Sequence, residues 1–363
     1  MTVVRKGRSK YLLAEEAEEM RELVRSAGGV VVAEVTAAIE KPSPSHFIHA
    51  GKVEELKKKK SESKANLVIF SVDLSPVQGR NLEGACGTRV VDRTGLILDI
   101  FARRAESREG RLQVELAQLN YLLPRLVGEG VLLSRLGGGI GTRGPGEQKL
   151  EINRRKIRDR ISRIKDELKK VEKHRELLRK SRRRKDFVSV AIVGYTNSGK
   201  SSLLNALTDG GAVVENKLFA TLDPVTRFFY TPNSQKVLLI DTVGFLQNLP
   251  HHLIEAFKST LEEAVQADAL IHMVDLSNPS AESQFCAVNQ LLTQLHAFDK
   301  PTVLALNKID LLNEAELSRK SEKFPSGIPI SVKSRLHFDE LIQKMTSVLA
   351  SKKELELAKH EES

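Results

Sequence analysis

Short β-branched runs alternate with amphipathic stretches along most of this chain, and that alternation predicts an α/β protein with parallel strands. In the first third, residues 30–35 and 67–71 read as strands, and residues 52–57 and 76–82 read as helices. A strand at 89–91 and a helix over about 95–103, opened by Asp92 or Thr94, complete a small parallel sheet with its helices. This first unit is expected to occupy residues 1–105.

The period then lengthens. Leu112, Leu116, Leu119, Leu123 and Leu126 recur at spacings of three and four, which predicts a helix over about 108–127 with one apolar side. A second helix, beginning near Glu147, places Ile157, Ile161, Ile164, Leu168 and Val171 at heptad-like positions. Residues 137–146 separate the two helices and carry Gly137, Gly138, Gly139, Gly141, Gly144 and Gly146, so residues 106–185 are expected to form an antiparallel hairpin with a long glycine loop. Ordering so many glycines is entropically costly, which points to a loop that orders on a partner. Arg135 and Arg143 bracket its glycines and suit it to approach a phosphate backbone.

From residue 186 to 349 the pattern returns to strand and helix, followed by a charged tail over 350–363. The apolar run 188–193 feeds Gly194, Tyr195, Thr196, Asn197, Ser198, Gly199, Lys200, Ser201 and Ser202, a phosphate-binding loop in its strand-to-helix setting. Backbone amides of this loop suit a β-phosphate, Lys200 neutralises β/γ charge, and the Ser201 hydroxyl suits a Mg²⁺ position. After a strand over 236–240 come Asp241, Thr242, Val243 and Gly244. Asp241 is placed to hold Mg²⁺, and the Gly244 amide to sense the γ-phosphate. After a strand over 303–306 come Asn307, Lys308 and Asp310, whose carboxylate can accept from guanine N1–H and its exocyclic amine, donors that adenine lacks. Asn307 is suited to buttress the phosphate loop, and the Lys308 stem to lie over the base. Ser331, Val332 and Lys333 are a further base-contacting loop. Between the first two motifs, Phe219, Ala220 and Thr221 precede Leu222-Asp-Pro224, and either Thr221 or Thr226 is placed to supply a switch hydroxyl that completes the Mg²⁺ shell. The implied ligands are GTP or GDP with Mg²⁺, held through Ser201, Thr221 and Asp241, with Lys200, Thr221 and Gly244 expected to act in hydrolysis. Phe245 follows Gly244 where a glutamine would orient water, so hydrolysis in isolation should be slow; Arg227 is a candidate to assist in cis.

Charge sharpens the reading of the hairpin. The chain of 363 residues carries +10, and residues 151–185 hold 17 Lys or Arg against 6 Asp or Glu, so 17 − 6 = +11 resides in about a tenth of the length. Such local density suits a polyanion, either nucleic acid or an anionic membrane. Cys86 and Cys286 lie far apart without metal-ligand spacing, and no secretory h-region or long apolar run is present, which favours the cytoplasm. His46, His49, His251 and His252 lack supporting carboxylates and are assigned structural or surface roles.

Four further strings, residues 46–56, 74–83, 108–119 and 137–147, complete a resemblance to the HflX family of ribosome-associated GTPases over nearly the whole chain. The resemblance implies an N-terminal α/β subdomain, a helical hairpin and a P-loop GTPase domain with a mostly parallel sheet. It favours Thr221 over Thr226 and matches Phe245 to the family's hydrophobic replacement of the glutamine. It further implies binding to the large ribosomal subunit and its ribosomal RNA through the basic hairpin and the 137–146 loop, with splitting or rescue of stalled or idle ribosomes; a monomer is expected. Two sites depart from the family pattern, His49-Ala50 and Ser331-Val-Lys333, and many relatives carry a larger C-terminal domain. Two other readings stand beside it: an assembly GTPase for the large subunit, and a GTP-regulated switch peripherally associated with a membrane or scaffold. Arg154 and Arg175 interrupt the heptad and argue against a long dimeric seam.

Overall fold

Val190, Ala191, Ile192 and Val193 are all fully buried, as an unbroken apolar run requires when helices cover both faces of a parallel sheet. In the computed structural model, which describes residues 1–5, 10–128, 145–183, 187–208, 218–219, 222–246 and 258–361, they form the centre of one of two units. The units divide at Val171 and Glu172.

The first unit opens with strand β1 (Thr2–Arg5), helix α1 (Lys10–Ser26), β2 (Thr36–Ile39), α2 (Ala50–Ser63), β3 (Leu67–Ile69), α3 (Pro76–Cys86), β4 (Arg89–Val91) and α4 (Arg93–Arg104). β1 pairs with β2 and β3 with β4, both in parallel. Met1 and Ser71 link the two ladders, because the Ser71 amide donates to Met1 O at 3.0 Å and the Val3 amide to Ser71 Oγ at 2.9 Å. A single apolar cluster including Val3, Ile39, Leu56, Phe70 and Leu82 spans both.

The strand expected over residues 30–35 does not form there. Val30 is 83% exposed, and pairing begins only at Thr36, opposite Thr2. Gly29 donates to Val24 O and so closes the end of α1, and the bond from the Thr2 amide to Val35 O fixes where the ladder starts. The β-branched run supplies propensity, and the partner strand supplies register.

Asp92 resolves the start of α4. Its side chain accepts from the Gly95 amide at 2.8 Å and caps the helix, while Thr94 Oγ1 donates to Asp73. The same carboxylate accepts from the Leu74 amide, from Tyr121 Oη at 2.8 Å and from Arg125 Nη2 at 2.7 Å. Burial and then the Asp92 charge push the Tyr121 phenol upward from its ordinary pKa.

Tyr121 belongs to α5 (Arg108–Leu122), which ends earlier than expected because Pro124 has no amide to continue the ladder; a short 3₁₀ turn, Arg125–Gly128, follows. Helix α6 runs over Pro145–Arg183, so Pro145 and Gly146 lie in its first turn and not in the preceding loop. Residues 137–144 lie outside the described residues. Arg160 grips Glu115 with two bonds of 2.7 Å, and Arg108 meets Glu167 at 3.0 Å, so the partner number falls as the position on α5 rises: α5 and the first part of α6 run antiparallel. Ile161 and Ile164 are buried on this stretch.

In the second unit, β5 (Val188–Gly194), α7 (Lys200–Thr208), β6 (Val225–Tyr230), β7 (Lys236–Asp241), α8 (Lys258–Gln266), β8 (Ala269–Asp275), α9 (Ala281–Gln294), β9 (Thr302–Asn307), α10 (Glu314–Ser321), β10 (Gly327–Pro329) and α11 (Phe338–Glu361) follow in order. Six strands lie in the order β10-β9-β8-β5-β7-β6, parallel throughout except for β6, which runs antiparallel on the edge. Ile192, Leu203, Leu239, Ile271 and Met345 share one core face, and Val274, Leu306 and Phe324 belong to a second cluster. Each such fully buried side chain contributes about 1.5–3 kcal/mol. The result is a sheet whose carboxyl ends, at Gly194, Asp241, Asp275 and Asn307, converge on one edge, where ligands of open parallel sheets bind.

Candidate nucleotide-binding site

Residues 194–201 turn from β5 into α7, and their shape depends on a glycine at Gly199, which has φ +101°. A Cβ there would collide with Asn307 Nδ2. Asn307 uses that proximity, since its Nδ2 donates to Ser198 O at 2.8 Å while its Oδ1 accepts from the Val332 amide at 3.0 Å. One buried amide therefore ties the phosphate loop to residues 331–333. Ser331 Oγ donates to Asp310 Oδ1 at 2.6 Å and accepts from the Ser334 amide, which draws the third loop onto the second. Lys333 points outward.

Lys200 is 6% exposed, and its ammonium donates to Gly194 O at 3.2 Å and Tyr195 O at 2.9 Å. Burial lowers its pKa to about 8, against the opposing pull of Asp241. An ammonium desolvated to this degree gains strongly from an anion placed beside it. Thr196 Oγ1 and Ser198 Oγ are also buried in this loop without hydrogen-bond partners. Two unsatisfied hydroxyls and a desolvated cation around a turn of backbone amides fit a phosphate group. Ser201 Oγ lies 2.6 Å from Asp241 Oδ2, so a hydroxyl and a carboxylate, the hard oxygen donors that Mg²⁺ prefers, stand side by side.

Beyond Asp241 the chain is held rigidly. Thr242 Oγ1 donates to Ile192 O at 2.7 Å and so serves the sheet, and Val243 is buried. A Cβ on Gly244 would lie 2.7 Å from Thr196 Cγ2 and 3.1 Å from Lys200 Nζ, so only glycine brings this backbone to the phosphate loop. Phe245 is 1% exposed; its amide donates to Gly194 O at 3.1 Å, and its carbonyl accepts from the Thr196 amide at 2.8 Å. Its ring is thus packed away and the main chain on both sides of it is locked to the loop. Phe219 is buried with φ +57°, whereas Ala220 and Thr221 lie outside the described residues, as do His251 and His252. Thr226 stands on β6 opposite Ile240 with its side chain exposed. Arg227, on the same strand, has a buried Nε without a hydrogen-bond partner.

Lys308 shows what the motif alone left out. Its backbone is left-handed, and its ammonium pairs with Asp275 Oδ2 at 2.7 Å, which fixes the stem along the site. Asp275 closes β8 directly opposite Asn307 in the β8/β9 register, so its position was available from strand alignment, not from any motif. His272, three residues earlier, stacks on Phe285 at 4.9 Å and has a buried Nε2 without a hydrogen-bond partner. Burial first, and the Lys200 charge second, lower its pKa to about 3, so it is neutral.

Comparison with known proteins converges on the same region and extends beyond it. Family profiles described as GTP-binding GTPase N-terminal, GTP-binding GTPase Middle Region and 50S ribosome-binding GTPase match residues 14–102, 104–182 and 189–308 in turn. The chain is 50% identical over 345 residues to GTPase HflX of Caldanaerobacter subterraneus subsp. tengcongensis, covering 94% of this chain and 78% of that protein. With GTPase HflX of Escherichia coli K12 it shares 43% identity over 348 residues, 95% of this chain and 81% of the other. Among solved structures, a complex of SsGBP with GDP superposes with a TM-score of 0.55 at 27% identity, covering 96% of this chain and 98% of that one. A GTP-binding protein from the archaeon Sulfolobus solfataricus in complex with GDP gives 0.50 at 26% identity over 96% and 99%.

Proposed function

The chain belongs to the HflX family of GTPases, and from that premise we propose that it is a GTP-operated factor of the large ribosomal subunit that splits or rescues stalled or idle ribosomes. Hydrolysis of GTP to GDP and phosphate is the activity of the family; large-subunit binding and the release of the factor on hydrolysis are the added proposal. What supports it is the basic face of α6: Arg155, Lys156, Arg163, Lys165, Lys170 and Lys173 are all exposed on one helix. A density of this kind draws on counterion release from a nucleic-acid backbone. Residues 106–185, with the glycine-rich stretch 137–146 that runs into the first turn of α6, are assigned to ribosomal RNA, and residues 186–349 to the nucleotide.

Within the nucleotide site, amides of residues 194–201 receive phosphate oxygens and Lys200 exchanges its carbonyl partners for them. Asp310, already aligned by Ser331, accepts from guanine, while Lys308 and Asn307 frame the base and the loop. Ser201, Asp241 and Thr221 are proposed to hold Mg²⁺, which when bound would neutralise charge between the terminal phosphates. The Gly244 amide reports the γ-phosphate and, through the Phe245 backbone bonds, shares its position with Gly194 and Thr196. Since the Phe245 ring has no group to orient water, the large subunit is proposed to complete the hydrolytic arrangement. A monomer acting in the cytoplasm fits this role.

The test is GTP turnover by the chain alone and with large ribosomal subunits, with Lys200→Ala as the blank. Strong stimulation, with binding that weakens steeply as salt rises, is expected. Rapid turnover that subunits leave unchanged would move the membrane or scaffold reading ahead, and stimulation by precursor particles alone would favour assembly.

A further inference from the structure

β6, the last strand of the six-stranded sheet among the described residues, carries an aromatic surface that the nucleotide site does not use. On β6 the exposed positions alternate, so Thr226, Phe228 and Tyr230 share one face. Phe228 is 45% exposed and Tyr230 62% exposed. Lys236, opposite Tyr230 in the β6/β7 register, places its ammonium 3.9 Å from the Phe228 ring centroid, 5.1 Å from that of Phe187 and 5.8 Å from that of Tyr230. Phe187 meets Phe228 edge-on, with ring centroids 5.4 Å apart. No carboxylate among the described residues lies within ion-pair distance of Lys236. Edge strands are usually blunted by charged side chains, whereas this edge presents two flat rings around one cation.

We propose that Phe228 and Tyr230 form a stacking platform for unpaired bases of RNA, with Lys236 placed for the phosphate between them. Residues two apart on a strand stand about 6.6–6.8 Å apart, a step that two successive bases of an extended single strand can span. Aromatic faces bind bases with little sequence preference, and a neighbouring cation adds the backbone term that duplex grooves would otherwise supply. The net charge of +10 complements the same ligand. This deepens the ribosomal reading and rests on it: the platform would engage a looped-out or terminal segment of RNA.

Binding of short unstructured oligoadenylate and oligouridylate to the full chain tests the proposal, with blunt duplex RNA as competitor. Tyr230→Ala and Phe228→Ala are each expected to weaken oligoadenylate binding roughly tenfold, as the loss of one stacked base would. Tyr230→Phe should stay within about twofold of the wild type, since the ring and not the hydroxyl stacks. Lys236→Gln should reduce the salt slope by about 0.7. GTP turnover without RNA reports folding and should be unchanged in all four. The platform is overturned if Tyr230→Ala binds as the wild type, if Tyr230→Phe is as weak as Tyr230→Ala, or if the aromatic variants lose only binding to anionic vesicles. Large-subunit stimulation distinguishes the two readings. Its absence beside intact, ring-dependent oligonucleotide binding removes the ribosomal role alone, and its presence beside ring-independent binding removes the platform alone.

Discussion

Lys200 and Lys170 are the same side chain used in opposite ways. The first is buried, stripped of water and aimed at two loop carbonyls; the second stands in solvent on a helix where many neighbours share its charge. Around the nucleotide site individual groups are placed one by one, Asn307 bonding both Ser198 O and the Val332 amide and Ser331 bonding Asp310, so a single substitution there removes a defined contact. Along α6, under the proposed RNA reading, the charges would act as a sum with no one residue decisive. The two regions should therefore answer mutation differently, steeply in the first and gradually in the second.

The steepest response is expected at Gly244. In Gly244→Ala the new methyl meets Thr196 and Lys200, and GTP turnover should fall about 10²–10³-fold, a loss of the size seen when one transition-state contact is misplaced, while GDP binding measured by a fluorescent analogue is largely kept. Asn307→Ala strands the Ser198 carbonyl and the Val332 amide, both buried. About 2–4 kcal/mol of stability should disappear in a denaturant titration, and guanine-nucleotide affinity with it.

How far these two predictions could be reached from the amino-acid sequence differs by region for a physical reason. The phosphate loop, Asp241–Gly244 and Asn307–Asp310 are legible because each needs specific residue types at contiguous positions after a strand. Ser331, part of a three-residue motif with little specificity of its own, is tied to Asp310 by a side-chain bond that the sequence does not announce. Asp275 was not legible, because it joins the site through strand register and not through neighbours in sequence. The same holds for the start of β2, where the partner strand and a glycine turn overrule the Val30–Val32 run. β1 is not legible, since four strand residues carry too little pattern to register alone.

Smaller effects sharpen the contrast. His272 is neutral when folded, with its pKa lowered to about 3, so only the unfolded chain takes up its proton as pH falls below the ordinary value of 6.5. Stability should thus be level above that value and decline below it, by about 2 kcal/mol near pH 5, and His272→Phe should flatten the decline in a series of thermal melts. Tyr121→Phe removes one of four bonds to Asp92 and should cost about 1 kcal/mol in chemical denaturation. Smallest of all, neutralising Lys170 alone should leave GTP turnover untouched and lower the salt slope of RNA binding by less than about 1; a large effect there would show that α6 reads individual phosphates.

The bond from Asn307 to Ser198 spans 109 residues and the one to Val332 a further 25. At synthesis rates of about 5–20 residues per second, the phosphate loop waits roughly 5–20 s for the residue that braces it. A nascent chain that has reached Phe245 but not β9 holds the phosphate loop through the Phe245 backbone alone, and the Asn307 brace is added only late in translation.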